Sequence, residues 1–285
     1  MAKPNTHWAF DRSFHAIEYS FRVQTNLLAA GGLVSRLLSQ LERPSAFGIP
    51  TYRVTRWRNV STPFALSLGR RRLDVYALEA GAIQGLLWQI NSEAIRLARK
   101  HLLVHAATAS WQGKGILMPA QPESGKTTLV TGLTRSGFDY LSDEAAVIDP
   151  ETLLLHPYPK PLSMEPGTLE AMPELKEKLP SELSWTSRLN YHLHPSDVRV
   201  DSIGAACAVG FVIAPCYRPG TRTEIERISQ ADALVALADH SFNFHRFGAR
   251  GLTALAKLVQ GAECYRLRMG DLPSAVEATF DVVST

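Results

Sequence analysis

Residues 115–130 read GILMPAQPESGKTTLV. Ile116, Leu117 and Met118 form a short apolar run of the kind that fills a buried strand. Ala120 then opens a turn-rich stretch that reaches Gly125, Lys126 and Thr127, and the chain continues at helical spacing to Leu133. Strand, loop and helix in this order, with Gly-Lys-Thr at the junction, are what a phosphate-binding loop (P-loop) requires. Loop N–H groups and the positive end of a helix dipole converge there and stabilise an anion. Lys126 is expected to reach the β- and γ-phosphates and the Thr127 hydroxyl to hold Mg²⁺. Glu123, Ser124, Gly125 and Thr128 complete the expected nucleotide contacts. The tripeptide alone is a weak signal; the strand before it and the helix after it raise it. Ala120 stands where the motif has its first glycine, which removes the freedom to adopt positive φ there.

Outward from this stretch, the apolar run 102–110 (LLVHAATAS) reads as a strand that forms a hairpin with 116–119 across Gln112-Gly113-Lys114-Gly115. Before it, residues 80–100 place Ile83, Leu86, Leu87, Ile90 and Ala94 at helical spacing, with Arg96, Arg99 and Lys100 suited to the negative C-terminal end. Residues 1–78 read as a small α+β accessory or recognition domain. They contain one strand over 14–23, a helix within 26–41, and short strands at 52–57, 64–68 and 73–78. Residues 79–285 form the second domain. There, strands are expected at 138–141, 145–148 and 153–158, and an irregular excursion with short helices at 159–203. A buried strand follows at 204–214, then its partner strand at 224–228. Helices at 230–238 and 249–259, a strand at 264–269 and a final helix at 272–280 complete the chain.

Composition narrows the function classes. Apolar residues make up 45% and charged residues 20% of the 285, the profile of a globular chain able to bury a sizeable core. The net charge is only +3, so no nucleic-acid partner is expected. The three cysteines, Cys207, Cys216 and Cys264, are widely spaced and fit no zinc pattern, as suits a reducing compartment. No apolar run has the length of a membrane span, and the start MAKPNTHW has no hydrophobic signal core. The expectation is a cytoplasmic protein without membrane contact.

Phosphoryl transfer needs more than a phosphate cradle: a carboxylate for the metal shell and a group that positions the nucleophile. Asp143 and Glu144 follow the helix, just past a short strand, where two carboxylates beside bound phosphate can divide that work. A charged turn is the commoner fate of a Ser-Asp-Glu tripeptide; the P-loop shifts the balance toward function. His105 is a lone histidine in an apolar strand, on its own most simply a hydrogen-bonded core residue. Arg246, near His240 and His245, is a weak candidate for neutralising a transferred phosphoryl group, and Lys160 and Arg188 are outside candidates.

The order LVHAATAS, PAQPESGKTT, GFDYLSDEAAVID resembles the catalytic domain of the HPr kinase/phosphorylase family, bacterial serine kinases with a strand histidine, a P-loop after a hairpin and an acidic pair after the P-loop helix. The resemblance covers residues 103–148 and loosens beyond. It implies a mixed α/β fold related to phosphoenolpyruvate carboxykinase, with ATP and Mg²⁺ as donor system and a serine or threonine hydroxyl as acceptor. It implies Asp143 as catalytic base and Glu144 as the second acidic residue and metal ligand with Thr127. It further implies Lys126 on the phosphates and His105 near the transferred group. Thr128 stands where the bifunctional enzymes carry a carboxylate, and their later glycine-rich segment has no counterpart here. The expected activity is therefore a kinase acting on a protein or peptide, as in relatives that phosphorylate precursor peptides, with homo-oligomerisation possible in the family. The alternatives are a small-metabolite kinase and a nucleotide-binding regulatory module without transfer.

Overall fold

The computed structural model describes residues 7–45, 47–57, 60–179 and 191–284. Arg188 lies outside the described residues.

The chain is a mixed α/β protein built on two large sheets. The first is assembled from β1 (Phe10–Ala16), β2 (Tyr19–Thr25), β3 (Glu42–Arg43), β4 (Thr51–Arg56), β5 (Phe64–Leu68) and β6 (Arg71–Tyr76), in the order β3-β1-β2-β4-β5-β6. All neighbours are antiparallel except β2 and β4. Helix α1 (Leu28–Leu37) and the long α2 (Glu79–Leu97) pack on it. Residues 14–23 are thus two strands and not one. Ile17, Tyr19, Phe21 and Val23 alternate straight through a chain reversal, which a period of two cannot detect. Ile17 sits in the turn at a left-handed φ of 60°. The next residue, Glu18, accepts the N–H groups of Arg99, Lys100 and His101 and so ties the hairpin to the chain beyond α2.

The second sheet begins with β7 (Leu102–Trp111) and β8 (Lys114–Pro119), an antiparallel hairpin, followed by α3 (Lys126–Arg135). Strands β9 (Asp139–Ser142) and β10 (Ala145–Ile148) both pair with β7, and β11 (Leu154–His156) pairs with β10. The excursion that follows has more order than its composition suggests. Strand β12 (Leu162–Met164) pairs with β13 (Tyr191–Leu193), and α4 (Pro166–Ala171), a 3-10 turn (Pro173–Lys178) and α5 (Pro195–Val198) complete it. Strand β14 (Cys207–Tyr217) runs parallel to β8. It also pairs with β11, so that β10, β7, β8, β14 and β11 close on themselves.

Strand β15 (Glu224–Arg227) was expected beside β14; instead β16 (Glu263–Met269) lies between them, parallel to β14 and antiparallel to β15. Helices α6 (Gln230–Asp239), α7 (Phe244–Phe247) and α8 (Ala249–Gln260) provide the crossover that parallel pairing demands. The short loop before β15 permits a hairpin but does not require one. Helix α9 (Leu272–Val283) ends the described chain.

Alternation along the strands sorts side chains between cores. Ile116, Met118, Phe211 and Ile213 face α3 and α9, whereas Leu117 and Val212 join the cluster containing α6 and α8. Leu103, Ala145, Val147 and Tyr158 belong with the first sheet, α1 and α2. The two sheets are therefore joined by a continuous apolar cluster in which α2 is central. Among the described residues no helix is long and apolar enough to cross a membrane.

Candidate phosphate site and the adjoining groove

The loop between β8 and α3 is shaped by two residues with positive φ. Glu123 lies at 64° and Gly125 at 86°. A Cβ on Gly125 would come within 2.8 Å of Met269 Cε and 3.3 Å of Tyr217 Cβ, so both conformation and space call for glycine. Ala120 avoids positive φ, and the missing first glycine costs the turn no strain. The Tyr217 N–H donates to the Ser124 carbonyl at 3.2 Å and seats the loop on the end of β14. Helix α3 starts at Lys126 with no side chain capping it, which leaves the N–H groups of its first turn facing the loop.

A cavity of about 160 Å³ lies at this helix end. Gly125, Lys126, Thr127, Asp143, Glu144 and His105 line it together with Glu123 and Thr128. Strand pairing explains the convergence. Ala145 sits opposite His105 in the β10–β7 ladder, so the tight β9–β10 connection delivers the acidic pair beside the histidine strand. Ser142 Oγ accepts the N–H groups of Glu144 and Ala145, fixing that connection. Three residues that the sequence did not single out, Pro122, Ser163 and Glu165, also face the cavity. Ser163 and Glu165 come from the excursion, and no local pattern marks them.

Lys126, Lys160 and the carboxylates of Glu123, Asp143, Glu144 and Glu165 set the electrostatics. Lys126 is buried, and its ammonium donates to the carbonyls of Ala120 at 2.8 Å and Gln121 at 2.6 Å. Burial pulls its pKa down to about 8, against the opposing charges of Glu144, Asp143 and Glu165. Asp143 is only 4% exposed. Its Oδ1 accepts from Tyr140 Oη at 3.0 Å and lies 2.7 Å from Lys160 Nζ, and its Oδ2 accepts the Ser163 N–H at 2.9 Å. Lys160, named in the sequence only as an outside candidate, is 6% exposed and also lies 3.8 Å from Glu144. Glu144 is the freer, half-buried carboxylate.

Burial, assisted by the charges of Lys126 and His240, drops the His105 pKa to about 4, so its ring is neutral at pH 7. The ring packs against Phe242, centroids 5.4 Å apart. The Thr128 hydroxyl is hydrogen-bonded to Thr168 at 2.8 Å and, with one proton and two lone pairs, keeps capacity for a ligand beside the Thr128 backbone. Arg246 belongs elsewhere. Its guanidinium donates to the Arg96 and Ala98 carbonyls and caps α2, so it neutralises a helix end and not a phosphate.

The donor set fits a nucleotide phosphate with Mg²⁺. Ser124 does not line the cavity, but its Oγ, inside the loop beside it, is buried and has no hydrogen-bond partner among the described residues. An unsatisfied buried hydroxyl is costly and points to a ligand that would complete it. Among the described residues no three His, Cys, Asp or Glu side chains form a metal cage. Mg²⁺ carried by a nucleotide needs only one or two protein oxygens beside the phosphates, and Thr127 and Glu144 are the oxygens at hand.

A second, larger cavity of about 760 Å³ opens next to the first, between α2 and the second sheet. Glu144 and Ser163 line both.

No family model matches the chain, and no curated protein matches it. Among solved structures it is similar to the HPr(Ser) kinase/phosphatase from Coxiella burnetii, with a TM-score of 0.32 and 11% identity over 64% of this chain and 96% of that one. A likeness of that degree carries no argument about activity, and the functional reading rests on the site itself.

Proposed function

We propose that this protein is an ATP-dependent kinase that transfers the γ-phosphoryl group to a serine or threonine hydroxyl of a protein or peptide. One observation carries the reading: Lys126 at the start of α3 and the Asp143–Glu144 pair line the same phosphate-sized cavity. Loop N–H groups, the Ser124 hydroxyl and Lys126 would hold the β- and γ-phosphates. Mg²⁺, held by Thr127 and Glu144, would neutralise charge on the phosphates. Lys126 must leave the Ala120 and Gln121 carbonyls to do its part, and an arriving phosphate supplies a stronger, charged acceptor.

Asp143 would orient the attacking hydroxyl. The bond between the γ-phosphorus and the β–γ bridging oxygen breaks as the ester forms, and the hydroxyl proton passes to the Asp143 carboxylate. Its three partners fix that carboxylate in direction, which suits a loose transition state in which positioning matters more than basicity. His105, neutral and apolar-packed, would border the transferred group without adding charge.

One feature favours a nucleotide-binding module without transfer: both Asp143 oxygens are already engaged. Incubation with γ-labelled ATP and serine-containing peptides separates the two readings. Asp143→Asn is expected to retain ATP affinity within about threefold while transfer falls by about a thousandfold or more. Undiminished transfer by that variant removes the assigned role, and no transfer by the wild type to any hydroxyl acceptor leaves the binding module.

A further inference from the structure

The larger cavity follows one face of α2. Gly81, Gly85, Trp88, Ser92 and Ile95 recur along it at intervals of three or four residues, and the lining ends at Arg96. The Tyr76 side chain lies over Gly81 and Gly85, so the open part of the stripe runs from Trp88 to Arg96, about 12 Å at 1.5 Å per helical residue. The opposite wall carries Tyr158, Lys160, Pro161, His192 and Phe242 from the second sheet and the excursion. Tyr158 Oη donates to Asn91 Oδ1 at 3.1 Å and pins α2 to the wall that holds Lys160. Other residues of the same helix, among them Ala82, Ile83, Leu86 and Ala94, are fully buried in the first-sheet core, so α2 turns a second face, open from Trp88 onward, to the groove. Trp88 stands 66% exposed on that face.

The chemistry of the lining is lopsided. Its charged side chains are matched among themselves: Arg96 is bidentate on Glu93, and Lys160 serves Asp143 and Glu144. What is left to contact a visitor is led by the exposed Trp88, with Tyr76, Ile95 and Phe242 half-buried beside it, while Leu38, Leu41 and Leu87 form the buried floor. An acidic or basic segment would gain nothing here, whereas an apolar one would bury surface. The length also discriminates, since about 12 Å holds roughly four extended residues at ~3.3 Å each and exceeds a single amino acid.

We infer that this groove is the acceptor site: it takes an extended, uncharged peptide segment whose apolar side chains flank the serine or threonine and lie along α2. The hydroxyl then reaches the phosphate cavity at Glu144 and Ser163. The inference rests on the kinase reading above and adds the class of acceptor sequence.

The test uses the full chain and length-matched seven-residue peptides with a central serine flanked by Leu and Phe, by Asp, or by Lys. Binding is followed by fluorescence anisotropy of labelled peptide, and transfer by label from γ-labelled ATP. The Leu/Phe-flanked peptide is expected to bind and to be phosphorylated about tenfold or more better than the charged ones. Ser92→Trp, which fills the half-buried middle of the stripe, should raise its KM by about tenfold while ATP affinity stays unchanged. Ser92→Glu should shift preference toward the Lys-flanked peptide, which guards against a Trp variant that merely folds badly. Equal transfer to all peptides, unaffected by both variants, overturns the groove and leaves the kinase. Apolar peptide binding that Ser92→Trp abolishes, without any transfer, supports the groove and overturns the kinase. Failure of the apolar peptide to bind overturns the groove.

Discussion

The two cavities share Glu144 and Ser163 but are built on opposite terms. The phosphate cavity is small and polar, and its side chains come from the P-loop, the β9–β10 connection, β7 and the excursion. The groove is nearly five times larger and apolar, and its longest wall is a single helix. Charge in the first is organised around one buried carboxylate held from three directions. In the second, charge is cancelled before a visitor arrives. On the proposed reading, a highly charged donor would sit beside an uncharged acceptor without either occupying the other's place.

Perturbing one cavity at a time is the way to test that division. The largest effect is expected from Lys126→Ala, which removes the buried ammonium of the phosphate cavity. Nucleotide affinity measured by calorimetry should fall about a hundredfold or more, while apolar peptide binding in the groove stays within about twofold. Equal loss of both ligands would mean that the cavities are one energetic unit.

Next in size is an acid effect, because each cavity contains a neutral histidine. Burial first, and the Lys160 charge second, hold His192 at about 4, and His105 lies at about 4 as well. An unfolded imidazole takes up its proton near pH 6.5. Between pH 6.5 and 4 the unfolded chain therefore binds more protons than the folded one, and stability falls as pH falls through that window. For His192, only 8% exposed, the loss should be on the order of 3 kcal/mol. Denaturant melts of His192→Gln should lose that share of the acid slope, and His105→Gln a separate share. A wild-type slope that neither variant changes would reject both assignments.

The smallest effect is expected at Arg246. Arg246→Gln removes the cap on α2 and should cost about 1 kcal/mol in thermal unfolding, with nucleotide affinity and transfer unchanged. A selective loss of transfer would move this arginine back toward the phosphate.

Most of the phosphate cavity was legible because its signals are local. Gly125-Lys126-Thr127 announces its own loop, and Asp143-Glu144 is an adjacent pair at a strand end. Lys160, Ser163 and Glu165 were not legible in the same way. They sit in a proline-rich stretch without periodicity, and only the β12–β13 pairing and the contact with Asp143 give them a place. The groove was invisible for a different reason. Its Gly81–Arg96 stripe looks like the face of any amphipathic helix, and spacing alone does not say whether an apolar face meets protein or space. The β1–β2 reversal and the insertion of β16 beside β14 were hidden because alternation records which residues face inward and not which strand lies alongside.

The sequence by itself determined the mixed α/β character, the strand-loop-helix unit at residues 115–130 and the residue types able to meet a phosphate, since each depends on backbone conformation and chemistry over a few consecutive positions. The tertiary structure alone decided that the acidic pair faces that loop, that Lys160 is its buried counter-ion, that Arg246 serves a helix end, and that α2 leaves Trp88 uncovered. Those outcomes depend on distances between segments far apart in the chain, which only the packing of the two sheets around α2 sets.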